Sequence, residues 1–341
     1  MARPVQRDRL SWHQFSAEAE RYAQMPFRRC GAWGLQLPAI SLGTWETFGG
    51  YRGPEMSRDC IFRAFNLGIT HFDFANTYGR NPGRAETIAG RILREMPREE
   101  LVISTKAGFP MWPGPSGQGS SRKHLIASLD QSLQRLGIDH VDIYYSHRFD
   151  PETPLDETLG VLDQLVRQGK ALYVGLSNYP PREFVAACKL AERKSWAPIV
   201  VHQSSYNLFD RQIEDDLLPA AREAGAGVVA FSPLAQGLLT SKYLDKIPDD
   251  SRAAKVWSEE QRKEKITDSR LHRTKKLNDI AKDRGQTLAQ MALAWTLRDP
   301  VVTTALIGAS SVEQIEENVQ ALEKREFSDE ELRRIEAALK G

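Results

Sequence analysis

Asp73, Tyr78, Lys106 and His147 are the residues whose types and positions fit one chemical step. Asp73 sits at the end of the apolar run ITHFDF, Tyr78 follows five residues later in NTYG, Lys106 closes LVISTK, and His147 directly follows VDIYYS. An apolar, β-branched run that stops on an ionisable residue places that residue at a strand's carboxyl end, the edge where parallel α/β folds bind ligands. A phenol keeps its proton at neutral pH, with a pKa of about 10, and becomes a useful acid when neighbours stabilise the phenolate it leaves behind. Lys106 supplies that positive charge, Asp73 anchors the lysine and keeps it protonated, and His147 orients a carbonyl oxygen or shares the proton. Taken singly, each has a structural explanation: a turn cap, a surface aromatic, a solvated cation, a core histidine. Their joint placement at the ends of consecutive strands carries the chemical reading. The seven histidines show no metal-ligand spacing, and no G-x-S-x-G elbow is present, which disfavours hydrolysis by metal or serine. An acid without a nucleophile suits protonation of a carbonyl while hydride arrives from a cofactor, because no side chain carries hydride.

Eight apolar runs must position these groups: 39–44, 69–74, 101–106, 141–146, 171–177, 199–205, 227–232 and 304–309. Stretches of helical periodicity separate them, such as HLIASLDQSLQRLG and LDETLGVLDQLVRQG, each stopped by a glycine. A β-then-α unit of about 28–40 residues repeated eight times predicts an α/β chain folded as a (β/α)8 TIM barrel. A short hairpin is expected around RRCGAWGLQLPAIS, ahead of the first barrel strand. The nearest approach to a dinucleotide-binding glycine fingerprint, GAGVVA at 225–230, leads from a helix into a strand, so it reads as a helix stop. Two connections exceed plain turns. The loop after strand 3, 107–123, carries Phe109 and Trp112 and is expected to face substrate; the one after strand 7, about 235–276, is either a solvated surface insertion or a flap over a ligand.

The remaining strand ends suit a nucleotide cofactor. Ser177 and Asn178 end the fifth strand and can bond a carboxamide, Gln203 ends the sixth, and Phe231 ends the seventh, either as core or as a ring stacked on a flat heterocycle. In the eighth unit Gly308, Ala309, Ser310 and Ser311 lead into a helix whose first turns carry Gln314, Glu317 and Asn318. Backbone N–H groups, hydroxyls and the helix dipole meet there, as a phosphate requires, although a plain cap fits the same residues.

With 341 residues, 41% hydrophobic and 27% charged, the chain has the composition of a folded protein with a large core. Forty-six basic residues balance 45 acidic ones to a net charge of +1, which leaves no field favouring nucleic acid or an anionic membrane. Cys30, Cys60 and Cys188 are odd in number and far apart, as expected of reduced thiols in a cytoplasmic protein. No run is long enough to span a bilayer, and the first residues lack the apolar stretch of a signal peptide. Residues 1–25 are expected to form a polar extension and 26–341 a single barrel domain.

FDFANTYG, ISTK, YYSHR, VGLSN, QSSYN, AFSPLAQGLLT and GAS…Q…EEN together resemble the aldo-keto reductases over essentially the whole globular chain. The loop GFPMWPGPSGQGSSRK and the AFSPLAQGLL segment are most similar to the branch holding bacterial L-glyceraldehyde 3-phosphate reductases and potassium-channel β-subunits. The resemblance implies Tyr78 as proton donor within a tetrad completed by Asp73, Lys106 and His147. It implies NADPH rather than NADH, held by Ser177, Asn178, Gln203, Phe231 and the 308–318 segment. Thr44, Trp45 and Asp73, and the run Ser232, Pro233, Leu234, Ala235, Gln236 and Gly237, are expected to flank the same cofactor. Many members carry a lysine and an arginine around the 2′-phosphate; the corresponding positions here hold Gly308 or Ala309 and Gln314, leaving Ser310, Gln314, Lys242 and Arg252 to bind it. Assembly into tetramers or octamers is a further implication of the branch.

The expected activity is therefore NADPH-dependent reduction of small aldehydes or ketones, such as L-glyceraldehyde 3-phosphate or methylglyoxal. Trp45, Phe109 and Trp112 are expected to shape the substrate pocket, and Arg148 either attracts an anionic substrate or makes a surface salt bridge. Two other functions stand beside it: a redox-sensing regulatory subunit that retains its cofactor, as channel β-subunits do, and a phosphate-binding barrel isomerase. The isomerase leaves Tyr78, Ser177 and Asn178 without work.

Overall fold

A computed structural model describes residues 15–340. Eight strands, β3 (Ile40–Gly43), β4 (His71–Asp73), β5 (Val102–Ala107), β6 (Val141–Ser146), β7 (Ala171–Ser177), β8 (Ile199–Ser205), β9 (Gly227–Phe231) and β10 (Val302–Ile307), close into one barrel. Every neighbouring pair is parallel, and β10 returns to pair with β3. The eight runs expected from sequence are these strands, each within two residues of its predicted bounds.

The strands form because Val, Ile, Phe and Tyr lie on both faces and both faces are covered, the inner by the barrel interior and the outer by helices. The helices in the first six connections are α1 (Pro54–Asn66), α2 (Arg84–Leu93), α3 (Arg122–Leu136), α4 (Leu155–Arg167), α5 (Pro181–Lys194) and α6 (Leu217–Glu223). Their ends obey local chemistry: Ser121 accepts the His124 N–H at the head of α3, and Gly137, at φ +69°, stops it in the left-handed conformation only glycine adopts cheaply. An antiparallel hairpin, β1 (Phe27–Arg29) with β2 (Gln36–Pro38), plugs the amino-terminal end of the barrel. Cys30, Leu35 and Leu37 of that plug pack against Ile143, Tyr145, Val201 and Val229 of the interior.

The long connection after β9 is folded. It runs through α7 (Arg252–Lys255), α8 (Glu259–Lys265), α9 (Asp268–Asp283) and α10 (Leu288–Thr296) before β10, followed by α11 (Val312–Val319) and α12 (Asp329–Lys340). Leu238, Tyr243, Ala253 and Trp257 give its first half a small apolar cluster of its own. Of the expected polar extension, residues 1–14 lie outside the described residues. Residues 15–25 pack on the barrel: the Phe15 ring lies 4.6 Å from Phe62 of α1, Arg21 pairs with Glu100 at 2.5 Å, and Met25 is buried. The polar composition of this stretch hides two apolar anchors. The three cysteines are free thiols, and among the described residues no helix is long and apolar enough to cross a membrane.

Candidate active site

The carboxyl ends of the strands open into a cavity of about 900 Å³, within the range of ligand sites. Asp73, at the end of β4, lies in its floor. Lys106 of β5 lies beneath the surface, fully buried, with its three N–H bonds directed at the Asp73 carboxylate, the Phe74 carbonyl at 2.7 Å and the Tyr78 hydroxyl at 3.3 Å. An ammonium has three protons, so its donor capacity is met. Burial alone would lower the Lys106 pKa, but the charge and hydrogen bond of Asp73, with Tyr78 adding to them, outweigh it and hold the ammonium above its ordinary value.

Tyr78 is brought over Lys106 by the turn after β4, where its N–H bonds the Ala75 carbonyl. Burial raises its phenol above the ordinary value, against the lowering effect of Lys106. The hydroxyl is therefore protonated at neutral pH, with the charge that would steady a phenolate already in contact. His147 follows β6, its ring 5.9 Å from that of Tyr78 and 4.7 Å, edge to face, from Phe109. Burial, then Lys106 and Arg148, push the imidazole well below its usual pKa, so it is neutral, and its Nδ1 has no partner among the described residues.

Asp73 is held from several sides. Ser104 Oγ donates to Oδ1 at 2.6 Å, Gln203 Nε2 donates to the same oxygen at 3.2 Å, and the Thr44 hydroxyl and N–H bond the Asp73 carbonyl. Thr44, expected at the cofactor, is thus buried and ties β3 to β4 instead of lining the cavity. The chain is strained around the rim. Glu46, Asn178, Ser232, Ala235 and Gln236 all have φ between +46° and +65°, which non-glycine residues adopt at a cost and which clusters at functional sites.

Ser177, Asn178, Gln203 and Phe231 line the cavity, as do Ser232, Pro233, Leu234, Gln236 and Gly237; Ala235 does not. Asn178 Nδ2 donates to the His147 carbonyl at 3.0 Å, which joins the β7 end to the tetrad. On the far side Gly308, Ser310, Gln314, Glu317 and Asn318 meet Lys242 and Arg252 from the long connection. A Cβ at Gly308 would meet only Arg252 Nη2, at 4.0 Å, so this backbone is open to a ligand. Neither Lys242 nor Arg252 forms an ion pair among the described residues; Asp250, the nearby carboxylate, pairs with Arg52 at 3.2 Å. That excess of positive charge, the bare glycine backbone and the Phe231 ring fit a phosphate-bearing dinucleotide with a flat heterocycle.

The connection after β9 crosses the mouth. Arg252 lies 5.2 Å over the Trp45 ring, and Arg52 bonds Asp250, so two contacts fasten it to the β3 loop. Of the two functions weighed for this segment, the flap matches its placement. Trp45 and Phe109 line the cavity, but Trp112 stacks on His124 of α3 at 4.9 Å and anchors its loop from outside. Arg148 also lies off the cavity; it bonds the Gly108 carbonyl and the Gln118 side chain and covers Phe109, with no carboxylate partner among the described residues. Tyr51, Thr240, Tyr243 and Asp250 line the cavity without having been foreseen, since they stand in loops that carry no periodic signal.

Residues 39–340 match the model of the aldo/keto reductase family. The chain belongs to that family. It is 51% identical over 327 residues to the L-glyceraldehyde 3-phosphate reductase of Escherichia coli K12, covering 94% of each chain. It is 36% identical over 303 residues to a probable voltage-gated potassium channel subunit beta of Arabidopsis thaliana, covering 88% of this chain and 92% of that protein. The similar rice protein carries the same description. Membership identifies an oxidoreductase, of a family that generally uses nicotinamide cofactors, and both kinds of relative expected from the motifs are present.

Proposed function

We propose that the protein is an NADPH-dependent reductase of small aldehydes, with Tyr78 as the proton donor. The observation that carries this is the contact of Lys106 Nζ with the Tyr78 hydroxyl at 3.3 Å while Asp73 holds the same ammonium. Reduced nicotinamide, when bound, supplies the hydride. Phe231, Ser177, Asn178 and Gln203 would hold its ring, and Lys242, Arg252, Gly308 and Ser310 its 2′-phosphate end. Tyr78 passes its proton to the carbonyl oxygen, and Lys106 bears the positive charge that stabilises the resulting phenolate. His147, neutral, orients the carbonyl oxygen through a ring N–H. Phe109 and Trp45 line the cavity beside the reacting face.

L-glyceraldehyde 3-phosphate is the first substrate to test, because a 51% identical relative bears its name; methylglyoxal is the second. Loss of nicotinamide absorbance on adding aldehyde to protein and NADPH tests the activity. Tyr78→Phe is expected to lower kcat by about 10²–10⁴-fold while still binding NADPH. Full turnover in that variant, or none with any small aldehyde in the parent, would refute the assignment. The fastened flap favours slow cofactor exchange, as a regulatory subunit would need; cofactor retained through gel filtration together with negligible turnover would make that the better description.

A further inference from the structure

Beneath the tetrad lies a second layer of polar side chains, all fully buried: Ser41 on β3, His71 on β4, Ser104 on β5 and Thr304 on β10. His71 Nε2 is 2.9 Å from Ser104 Oγ, His71 Nδ1 is 2.9 Å from Ser41 Oγ, and Ser41 Oγ is 2.7 Å from Thr304 Oγ1. The direction of every bond follows from its upper end. Asp73, paired with Lys106, is a carboxylate and can only accept, so Ser104, 2.6 Å away, donates to it. A hydroxyl has one proton, so Ser104 accepts from His71, which must carry its hydrogen on Nε2. The bare Nδ1 then accepts from Ser41, and Ser41, its proton spent, accepts from Thr304. Burial pushes the His71 imidazole down to about 4, with Lys106 adding to that and Asp73 opposing it, so the ring is neutral and this single tautomer satisfies all its neighbours.

Four donors therefore run in series from β10 through β3 and β4 to β5 and end on one carboxylate oxygen. Hydrogen bonds aligned this way polarise one another in a dry interior. We infer that His71 and Ser104 are positioning residues: they stabilise the ionised form of Asp73 and lower its basicity, keep the Lys106 proton on nitrogen, and so maintain the cation on which proton donation by Tyr78 depends. This role presupposes Tyr78 as the acid proposed above. The charged and titratable groups facing the layer are Lys106 on β5, Tyr78 on the β4 turn and Tyr145 on β6, with Cys30 of the hairpin plug beside Tyr145 and His147 and Arg148 beyond Lys106. Among them only Lys106 both neighbours the Asp73 carboxylate and touches the Tyr78 hydroxyl.

Two measurements on the full chain test this. In protein labelled with ¹⁵N-histidine and assigned by loss of the signal in His71→Gln, the His71 ring should show a protonated Nε2 and a bare Nδ1, unchanged between about pH 8 and pH 5.5, because it titrates near 4. A proton on Nδ1, or titration within that window, overturns the network whether or not any activity is found. In steady-state reduction, Ser104→Ala should lower kcat roughly tenfold, the worth of one bond to a charged group, and His71→Leu about threefold to tenfold through the weakened Ser104 donor, with aldehyde KM unchanged in both. The alkaline limb of the pH profile should move upward, since losing the cation raises the Tyr78 pKa. His71→Gln, whose amide offers an N–H to Ser104 and a carbonyl to Ser41, should recover most of the loss. If His71→Leu does not fold, Ser104→Ala and Ser41→Ala carry the kinetic test, each deleting one hydroxyl. Parent-like kcat in Ser104→Ala, or equal losses in the Gln and Leu variants tracking their melting temperatures, overturns the role. Full activity in Tyr78→Phe instead overturns the function it serves and leaves the tautomer to stand on its own measurement.

Discussion

Lys106→Met removes the ammonium beneath the cavity floor and leaves the stem's volume filled, so its effect can be worked from the contacts. Lys106 is fully buried and Asp73 is 1% exposed, hence water cannot replace the lost partner. Removing one member of a buried ion pair costs about 3–5 kcal/mol. Asp73 retains the Ser104 and Gln203 donors, which places this loss near the lower end, and the Phe74 carbonyl, stripped of its 2.7 Å donor, adds about 1 kcal/mol. A total of about 4 kcal/mol should appear in denaturant unfolding at pH 7. Because the pair raises the ammonium above its ordinary value, this contribution is complete below the unfolded lysine pKa of about 10.4 and is lost as pH rises through the folded value. Adding Asp73→Asn removes the stranded charge while Asn can still accept from Ser104 and Gln203, so the double variant should regain about 2 kcal/mol or more. Activity should not return: both variants lose about 100-fold or more in kcat, since nothing then stabilises the Tyr78 phenolate. A single variant losing under about 1 kcal/mol, or a double no more stable than the single, would refute the stranded charge. Parent-like turnover in Lys106→Met would refute the tuning of Tyr78.

Lys242→Ala or Arg252→Ala should weaken NADPH binding about tenfold and leave NADH within about twofold in fluorescence titrations, because each removes one charge-assisted contact to the phosphate; equal losses for both cofactors would exclude that contact. Gly175→Ala should destabilise by about 1–3 kcal/mol or more, as the added Cβ would meet Tyr145 Cε1 at 2.3 Å, and a parent-like unfolding midpoint would contradict the packing. His71 and His202, pushed down to about 4, and His124 and His147, also lowered, are all depressed first by burial. The unfolded chain therefore binds more protons below the ordinary value of about 6.5, and stability should fall from there toward pH 4. A flat unfolding midpoint between pH 7 and 5 would show that these rings are not buried as neutral bases.

Asp73, Lys106 and His147 were legible because each ends an apolar run, so position in sequence and position at the barrel mouth coincide. Ser177, Gln203 and Phe231 were found the same way. Trp112 and Arg148 stand in the loops after β5 and β6, yet a loop residue's direction depends on what it packs against; His124 and Phe109 draw them off the cavity. The segment after β9 shows little apolar periodicity. Its helix heads were signalled by Ser251, Ser258 with Gln261, and Thr267, each of which accepts from the first turn that follows. His71, Ser104 and Thr304 could not be singled out, because polar residues alternating within apolar strands look the same whether they face the barrel axis or its helices.

The hairpin at the amino-terminal end has a bearing on traffic through the molecule. Cys30, Leu35 and Leu37 pack against Ile143, Tyr145, Val201 and Val229, so among the described residues an apolar layer closes that end of the barrel. Under the function proposed above, a proton surrendered by Tyr78 would be replaced through the cavity mouth, the same opening that would admit an aldehyde. On that proposal, recharging the acid would follow departure of the alcohol, which would place product release ahead of readiness for the next cycle.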